Sequence, residues 1–177
     1  GMLAVLGSKI DDLEKILKDN QNNFVAQVAN DNSDGQIVLS GKTRDLQILS
    51  EFLKEKKIKN IKLPVSAPFH SSLMSKATEV MKKELQKIDF KQSKNTLISN
   101  VTADEISNIG DLKSLLINQI EKRVRWRESI LNMIDKGVNQ FIEIGPGKVL
   151  SGLVKRINKD VKISSINSES DIESLNI

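Results

Sequence analysis

The spacing of apolar positions changes several times along the chain, and each change predicts an element. Met2–Leu6 is a short apolar run closed by Gly7 and reads as a strand. Asp11 and Asp12 then put negative charge at a helix start, where the backbone dipole favours it, with Leu13, Ile16 and Leu17 as the apolar stripe. Phe24–Ala29 alternates, placing Phe24, Ala26 and Val28 on one face of a strand. The polar run Asn30-Asp31-Asn32-Ser33-Asp34-Gly35 reads as a turn, and Gln36–Ser40 as the next strand. Thr43 is placed to cap a second helix carrying Leu46, Leu49, Phe52 and Leu53 on one side. Ile58–Leu63 closes the series before Pro64.

The order β-α-β-β-α-β over residues 1–64 is that of a ferredoxin-like unit. Residues 65–177 follow a different rhythm. A helix opens at Ser71 or Ser72 and carries Leu73, Ala77, Val80, Met81 and Leu85, followed by a strand at Thr96–Ser99. Asp111 starts a helical segment with Leu112, Leu115, Leu116 and Ile120, and another helix spans about Arg127–Lys136. Gln140–Ile144 is a strand, Gly145-Pro146-Gly147 a tight turn, Val149–Ile157 a helix and Val161–Ser165 a last strand. Helices alternating with short strands argue for an α/β layered architecture. Three short strands make a thin core for such a layer, whose parallel sheet needs cover on both faces, so this half reads as unfinished.

Composition narrows the chemistry. The 177 residues hold no cysteine, which removes thiol catalysis, disulfides and Cys-ligated metals. A single histidine, His70, removes any metal site built on several imidazoles and carries whatever imidazole acid–base chemistry exists. No apolar run approaches the ~20 residues that span a bilayer and no signal peptide opens the sequence, so neither a membrane role nor secretion is expected. The net charge of +4 comes mostly from 22 lysines against 5 arginines, a bias that an AT-rich genome produces by itself. Five Phe and one Trp offer little for base stacking, and nucleic acid is not an expected partner. The densest basic run, Lys54 to Lys62, reads as a solvated helix end and strand edge, or else as a docking surface for an acidic protein or phosphorylated cofactor.

His70 lies between the extended Ala67-Pro68 segment and a helix start, whose positive end would keep the imidazole neutral and basic, as a base for a serine hydroxyl must be. The alternative is a histidine that caps the helix. No serine stands in a Gly-x-Ser-x-Gly elbow, and Ser151 falls inside a helical pattern, so no nucleophile is evident. Gly145-Pro146-Gly147-Lys148 reads as a turn needing glycine torsions, or as an anion cradle; it lacks Walker A spacing. Asn30 and Asn32 carry amides able to bond a carboxylate or thioester oxygen, though turn chemistry explains them as well. Trp126 reads as a core or helix-junction anchor, and Arg125 and Arg127 as solvated unless they meet a carboxylate or phosphate.

Together these stretches resemble the malonyl-CoA:acyl-carrier-protein transacylase family. Asn30-Asp31-Asn32-Ser33-Asp34-Gly35-Gln36-Ile37-Val38 is similar to its Asn-x-Asn-x-x-Gly-Gln-x-Val signature, with Asp34 where proline is usual. Ser66-Ala67-Pro68-Phe69-His70-Ser71-Ser72-Leu73-Met74 resembles its catalytic-histidine motif, and Phe141-Ile142-Glu143-Ile144-Gly145-Pro146-Gly147-Lys148 its closing strand–turn–helix. The resemblance implies a ferredoxin-like subdomain over 1–64 and, over 65–177, the C-terminal part of an α/β-hydrolase-like acyltransferase core. It implies His70 as the catalytic base, Gln119 as the residue whose backbone carbonyl orients it, and Asn30 and Asn32 as substrate-binding residues. The family's Gly-His-Ser-Leu-Gly elbow falls outside the matching stretch, so the chain is expected to supply the base and not the nucleophile. Expected partners are malonyl-CoA and acyl-carrier protein with its phosphopantetheine arm, in cytoplasmic fatty-acid biosynthesis without a cofactor or metal. The alternatives are a non-catalytic module binding acyl-carrier protein, and a segment of a polyketide-type synthase.

Overall fold

A computed structural model describes residues 1–173 and residue 175. The first six elements are β1 (Met2–Leu6), α1 (Ile10–Asp19), β2 (Ala26–Ser33), β3 (Gln36–Gly41), α2 (Thr43–Glu55) and β4 (Lys59–Lys62). They form a four-stranded antiparallel sheet in the order β2-β3-β1-β4. β1 is a central strand, which is why its sequence is an unbroken apolar run: Leu3 and Val5 face α1 and α2, while Met2 and Ala4 pack with Ala29 and Val38 on the opposite face. Under the helices the core is Leu3, Val5, Leu13, Phe24, Ile37, Leu39, Leu46, Leu49 and Leu53. Burying a Leu- or Phe-sized side chain contributes about 1.5–3 kcal/mol, so this cluster dominates the unit's stability.

Two local expectations over residues 1–64 are corrected. The polar run from Asn30 to Ser33 continues β2 rather than turning, and only Asp34-Gly35 makes the hairpin turn, with Gly35 at φ +72°. Bulges between Val28 and Asn30 and between Asp31 and Ser33 let this unusual strand stay paired to β3. Thr43 is the first residue of α2 and caps nothing; Lys42 holds the cap position.

After β4 come a 3₁₀ turn (Ser72–Met74), α3 (Ser75–Gln86), α4 (Ile109–Asn118), α5 (Trp126–Asp135), β5 (Gln140–Ile144), α6 (Val149–Ile157), β6 (Lys162–Ile166) and α7 (Glu169–Glu173). The strand expected at Thr96–Ser99 is absent: Ile98 makes one isolated bridge to Glu105. Asn108, not Asp111, starts α4, its side-chain oxygen accepting from Gly110 N at 2.8 Å. β5 and β6 form a two-stranded parallel sheet from Gln140↔Lys162 to Ile144↔Ile166.

The chain divides into two compact units, Gly1–Ser129 and Ile130–Ile177. The first runs well past Pro64 because residues beyond it are bonded to β2. Ser72 N donates to Gln27 Oε1 at 2.8 Å, Val124 N to Ala29 O at 2.8 Å, and Asp31 N to Val124 O at 2.9 Å. Among the described residues no helix is long and apolar enough to cross a membrane.

Candidate active site

His70 stands in a tightly closed loop. Ser71 is buried and its hydroxyl donates to Pro68 O at 2.7 Å, while Met74 N donates to Ser71 O at 3.0 Å. Inside this loop His70 has φ +57°, a left-handed conformation costing a side chain with a Cβ about 1–3 kcal/mol. The surroundings fix that conformation: His70 N donates to Ile120 O at 3.1 Å, and the following Ser72 is bound to Gln27 through both its N–H and its hydroxyl.

The imidazole is half-buried, and its Nδ1 lies 2.8 Å from the backbone carbonyl of Gln119. A carbonyl oxygen only accepts, so this contact requires the proton on Nδ1 and leaves the lone pair on Nε2. The Gln119 side-chain amide nitrogen lies 3.5 Å from the same ring nitrogen, where an N–H facing a protonated Nδ1 adds no bond. Gln119 sits just past α4, held by its own N–H to Leu115 O at 2.9 Å, so the acceptor belongs to a fixed helix end. The ring's orientation thus comes from backbone. The dipole expected from sequence contributes less, because a 3₁₀ turn separates His70 from α3 at Ser75 and the dipole effect fades within a helical turn.

Asn30 and Asn32 lie half-buried along β2, alternating with the buried Asp31 and Ser33. Asp31 and Ser33 line a cleft of about 530 Å³ together with Gly7, Gly35 and Arg127, a cleft that neither asparagine borders. Asp31 is the functional-looking group that sequence reasoning missed. It is 1 % exposed, and Arg127 Nε reaches both its carboxylate oxygens at 3.1 Å, with Nη2 at 3.0 Å from Oδ2. That bond raises the Arg127 pKa above its usual range.

The expectation of solvated arginines is therefore corrected. Arg125 pairs with Glu128, which it holds below the usual glutamate range, and Arg123 pairs with Glu14 at 2.9 Å. The Lys54–Lys62 run does lie on the surface, where α2 ends and edge strand β4 begins, with Lys56 over the Phe52 ring at 4.9 Å.

The Gly145–Lys148 turn is already satisfied internally. Gly145 and Gly147 have φ +134° and +92°, Gly147 N donates to Asn167 Oδ1 at 2.6 Å, and Leu150 N and Ser151 N donate to the Glu143 carboxylate at 3.1 and 2.7 Å. Glu143 occupies the helix end that an anion would need. Ser151 sits inside α6 with its hydroxyl 2.8 Å from that of Ser165, not on an elbow. No group of three or more metal-ligating side chains occurs among the described residues.

The acyl transferase domain model matches residues 1–174. The chain belongs to the acyl transferase domain family. It is 43% identical over 174 residues to the malonyl CoA-acyl carrier protein transacylase of Bacillus subtilis, covering 97% of this chain and 55% of that protein. Its mixed α/β fold matches solved acyltransferases. The malonyl CoA-acyl carrier protein transacylase of Clostridium perfringens superposes with TM-score 0.93 at 40% identity, over 98% of this chain and 55% of that one. The acyl-carrier-protein S-malonyltransferase of Bartonella henselae gives TM-score 0.92 at 40% identity over the same shares. The chain spans about half the length of the curated relatives it matches.

Proposed function

We propose that this chain supplies the general base of a malonyl-CoA:acyl-carrier-protein malonyl transfer in fatty-acid biosynthesis, a reaction of the cytoplasm. The observation that carries the reading is the bond from His70 Nδ1 to the Gln119 carbonyl, which leaves Nε2 free to take a proton. The serine nucleophile belongs to the part of the family fold that this chain does not span.

In the first half-reaction His70 Nε2 takes the serine proton as the hydroxyl attacks the malonyl thioester, then returns it to the departing CoA thiolate. In the second, Nε2 takes the proton of the phosphopantetheine thiol as its sulfur attacks the malonyl-serine ester, and protonates the serine oxygen as it leaves. The Gln119 carbonyl stabilises each imidazolium without being consumed. Asn30 and Asn32 are proposed to bond the acyl substrate's oxygens. On this reading residues 1–64 form a ferredoxin-like subdomain, supported by the strand order β2-β3-β1-β4, and residues 65–177 belong to an α/β-hydrolase-like core.

The test is reconstitution. This chain is co-expressed with the portion of the Bacillus subtilis relative that it does not match, and transfer of radiolabelled malonyl groups to acyl-carrier protein is followed. Activity that needs both pieces is expected, and His70→Ala lowers kcat by about 10²–10⁴-fold, the range of a general base. A reconstituted enzyme indifferent to His70→Ala defeats the reading.

A further inference from the structure

The two backbone segments that set the His70 geometry are both fastened to strand β2. The His70 loop is held at Gln27, whose Oε1 accepts from Ser72 N at 2.8 Å and from its hydroxyl at 3.1 Å. The Gln119 segment is held two to four residues further along the same strand. Val124 N donates to Ala29 O at 2.8 Å, Asp31 N donates to Val124 O at 2.9 Å, and the Arg127 guanidinium grips both Asp31 oxygens. β2 therefore acts as a common ruler between the imidazole and the carbonyl that orients it.

On that ruler the backbone bridge at Val124 is a single pair, isolated from any longer ladder. Arg125 N also donates to Asn100 O at 2.9 Å and Arg123 pairs with Glu14, and the guanidinium fork, three residues past Val124, is the side-chain contact that ties this segment back to β2 itself. The carboxylate it grips is 1 % exposed, and a carboxylate so buried is tolerable only with a charged partner. The exposed Asp34 adds only a 3.8 Å contact to Arg127. The ion pair joins positions 96 residues apart in sequence, a separation that local structure does not require.

We infer that Asp31, through Arg127, is a positioning residue that holds the Gln119 carbonyl against His70 and so keeps the imidazole in its Nδ1–H form. The inference rests on the proposed role of His70 as base. Asp31 touches neither ring nor carbonyl; it acts by setting the seat of the 119–127 segment.

The single histidine makes the test unambiguous. Long-range ¹H–¹⁵N correlation on the ¹⁵N-labelled 177-residue chain reads the tautomer of one imidazole. The unaltered chain is expected to show a single tautomer with its proton on Nδ1. Asp31→Asn keeps the side chain's size and removes its charge; a folded chain whose ring signals move to the averaged pattern of a loosely held histidine is the expected result. Arg127→Lys retains the charge without the fork, and its pattern is expected between the two. If Asp31→Asn is folded and keeps the original tautomer, the positioning role is overturned. If both variants unfold, the pair is core stabilisation and the inference also falls. A proton on Nε2 in the unaltered chain would instead strike at the proposed base itself, so the two failures are told apart.

Discussion

The antiparallel sheet β1–β4 buries apolar side chains on both faces, with Leu39, Leu49 and Leu53 fully enclosed, whereas the parallel pair β5–β6 leaves Ile144 79 % exposed and Val149, opening α6, 72 % exposed. The difference follows from connectivity. Antiparallel strands joined by a hairpin and two helices can close their own core within about sixty residues, since every partner is near in sequence. Parallel strands are stable when covered on both faces by other elements, and a two-stranded parallel sheet has little of its own to offer. Dense burial in one region and low local burial in the other thus describe one sheet that closes its own core and one that does not.

The largest expected effect tests the finished side. Leu49 is completely buried in the cluster under α2, and Leu49→Ala removes an isopropyl group that the close-packed sheet cannot collapse to replace. A loss of about 2–5 kcal/mol is expected, read from the urea midpoint at constant m-value. A loss below about 1 kcal/mol would mean that the core is loose and that the comparison overstates its closure.

This contrast was largely legible in the sequence, because burial writes itself as periodicity. The boundaries of β1, β5 and α6 agree with the apolar runs Met2–Leu6, Gln140–Ile144 and Val149–Ile157. After Pro64 the apolar content is much the same; it is the small number of strands that reads as an unfinished layer. What escaped were features set by distant partners. Asn30 to Ser33 carries the composition of a turn, and it is held as a strand by pairing to β3 across two bulges, by the Val124 bridge and by the Asp31–Arg127 ion pair. For the site, the family motif pointed to His70 and Gln119, but the left-handed backbone of His70 and the anchoring of its loop on Gln27 depend on contacts across the fold that leave no local signature.

The next effect is smaller and depends on pH. The hydrogen bond from Arg125 holds the Glu128 pKa below its usual value, so the folded state favours the charged carboxylate more than the unfolded state does. A depressed pKa gives stability that is complete above the unfolded value, about 4.3, and is lost as pH falls through the folded one. Glu128→Gln should therefore be less stable than the parent near neutrality, with the gap in urea midpoint narrowing on acidification below that range. A gap that stays constant with pH would show that the pair's contribution is packing rather than charge.

Within the uncovered region, the Glu143 carboxylate supplies local order that apolar cover does not. It accepts from Leu150 N and Ser151 N, and the Ser151 hydroxyl, together with these two amides, holds its pKa low. Glu143→Ala should speed hydrogen exchange at those two amides while leaving Leu153 and Val154, buried one turn later in the same helix, little changed. Uniform acceleration along α6 would mean that the carboxylate holds the whole helix rather than its first turn.

The smallest effect is the most direct check on the contrast. Ile144 ends β5 with most of its surface in solvent, so Ile144→Ser removes almost no burial and leaves the β5–β6 register to the backbone. Its stability in the 177-residue chain should fall within about 0.5 kcal/mol of the parent, as for an exposed site. The same change should weaken reconstitution with the portion of the relative that this chain does not match, if a strand from that portion covers β5. A large loss of stability in the chain alone would show that the side chain is already covered in solution. Since exposed apolar patches also drive self-association, repeating the melt over a hundredfold dilution separates a second copy, whose cover is lost on dilution, from cover within one molecule.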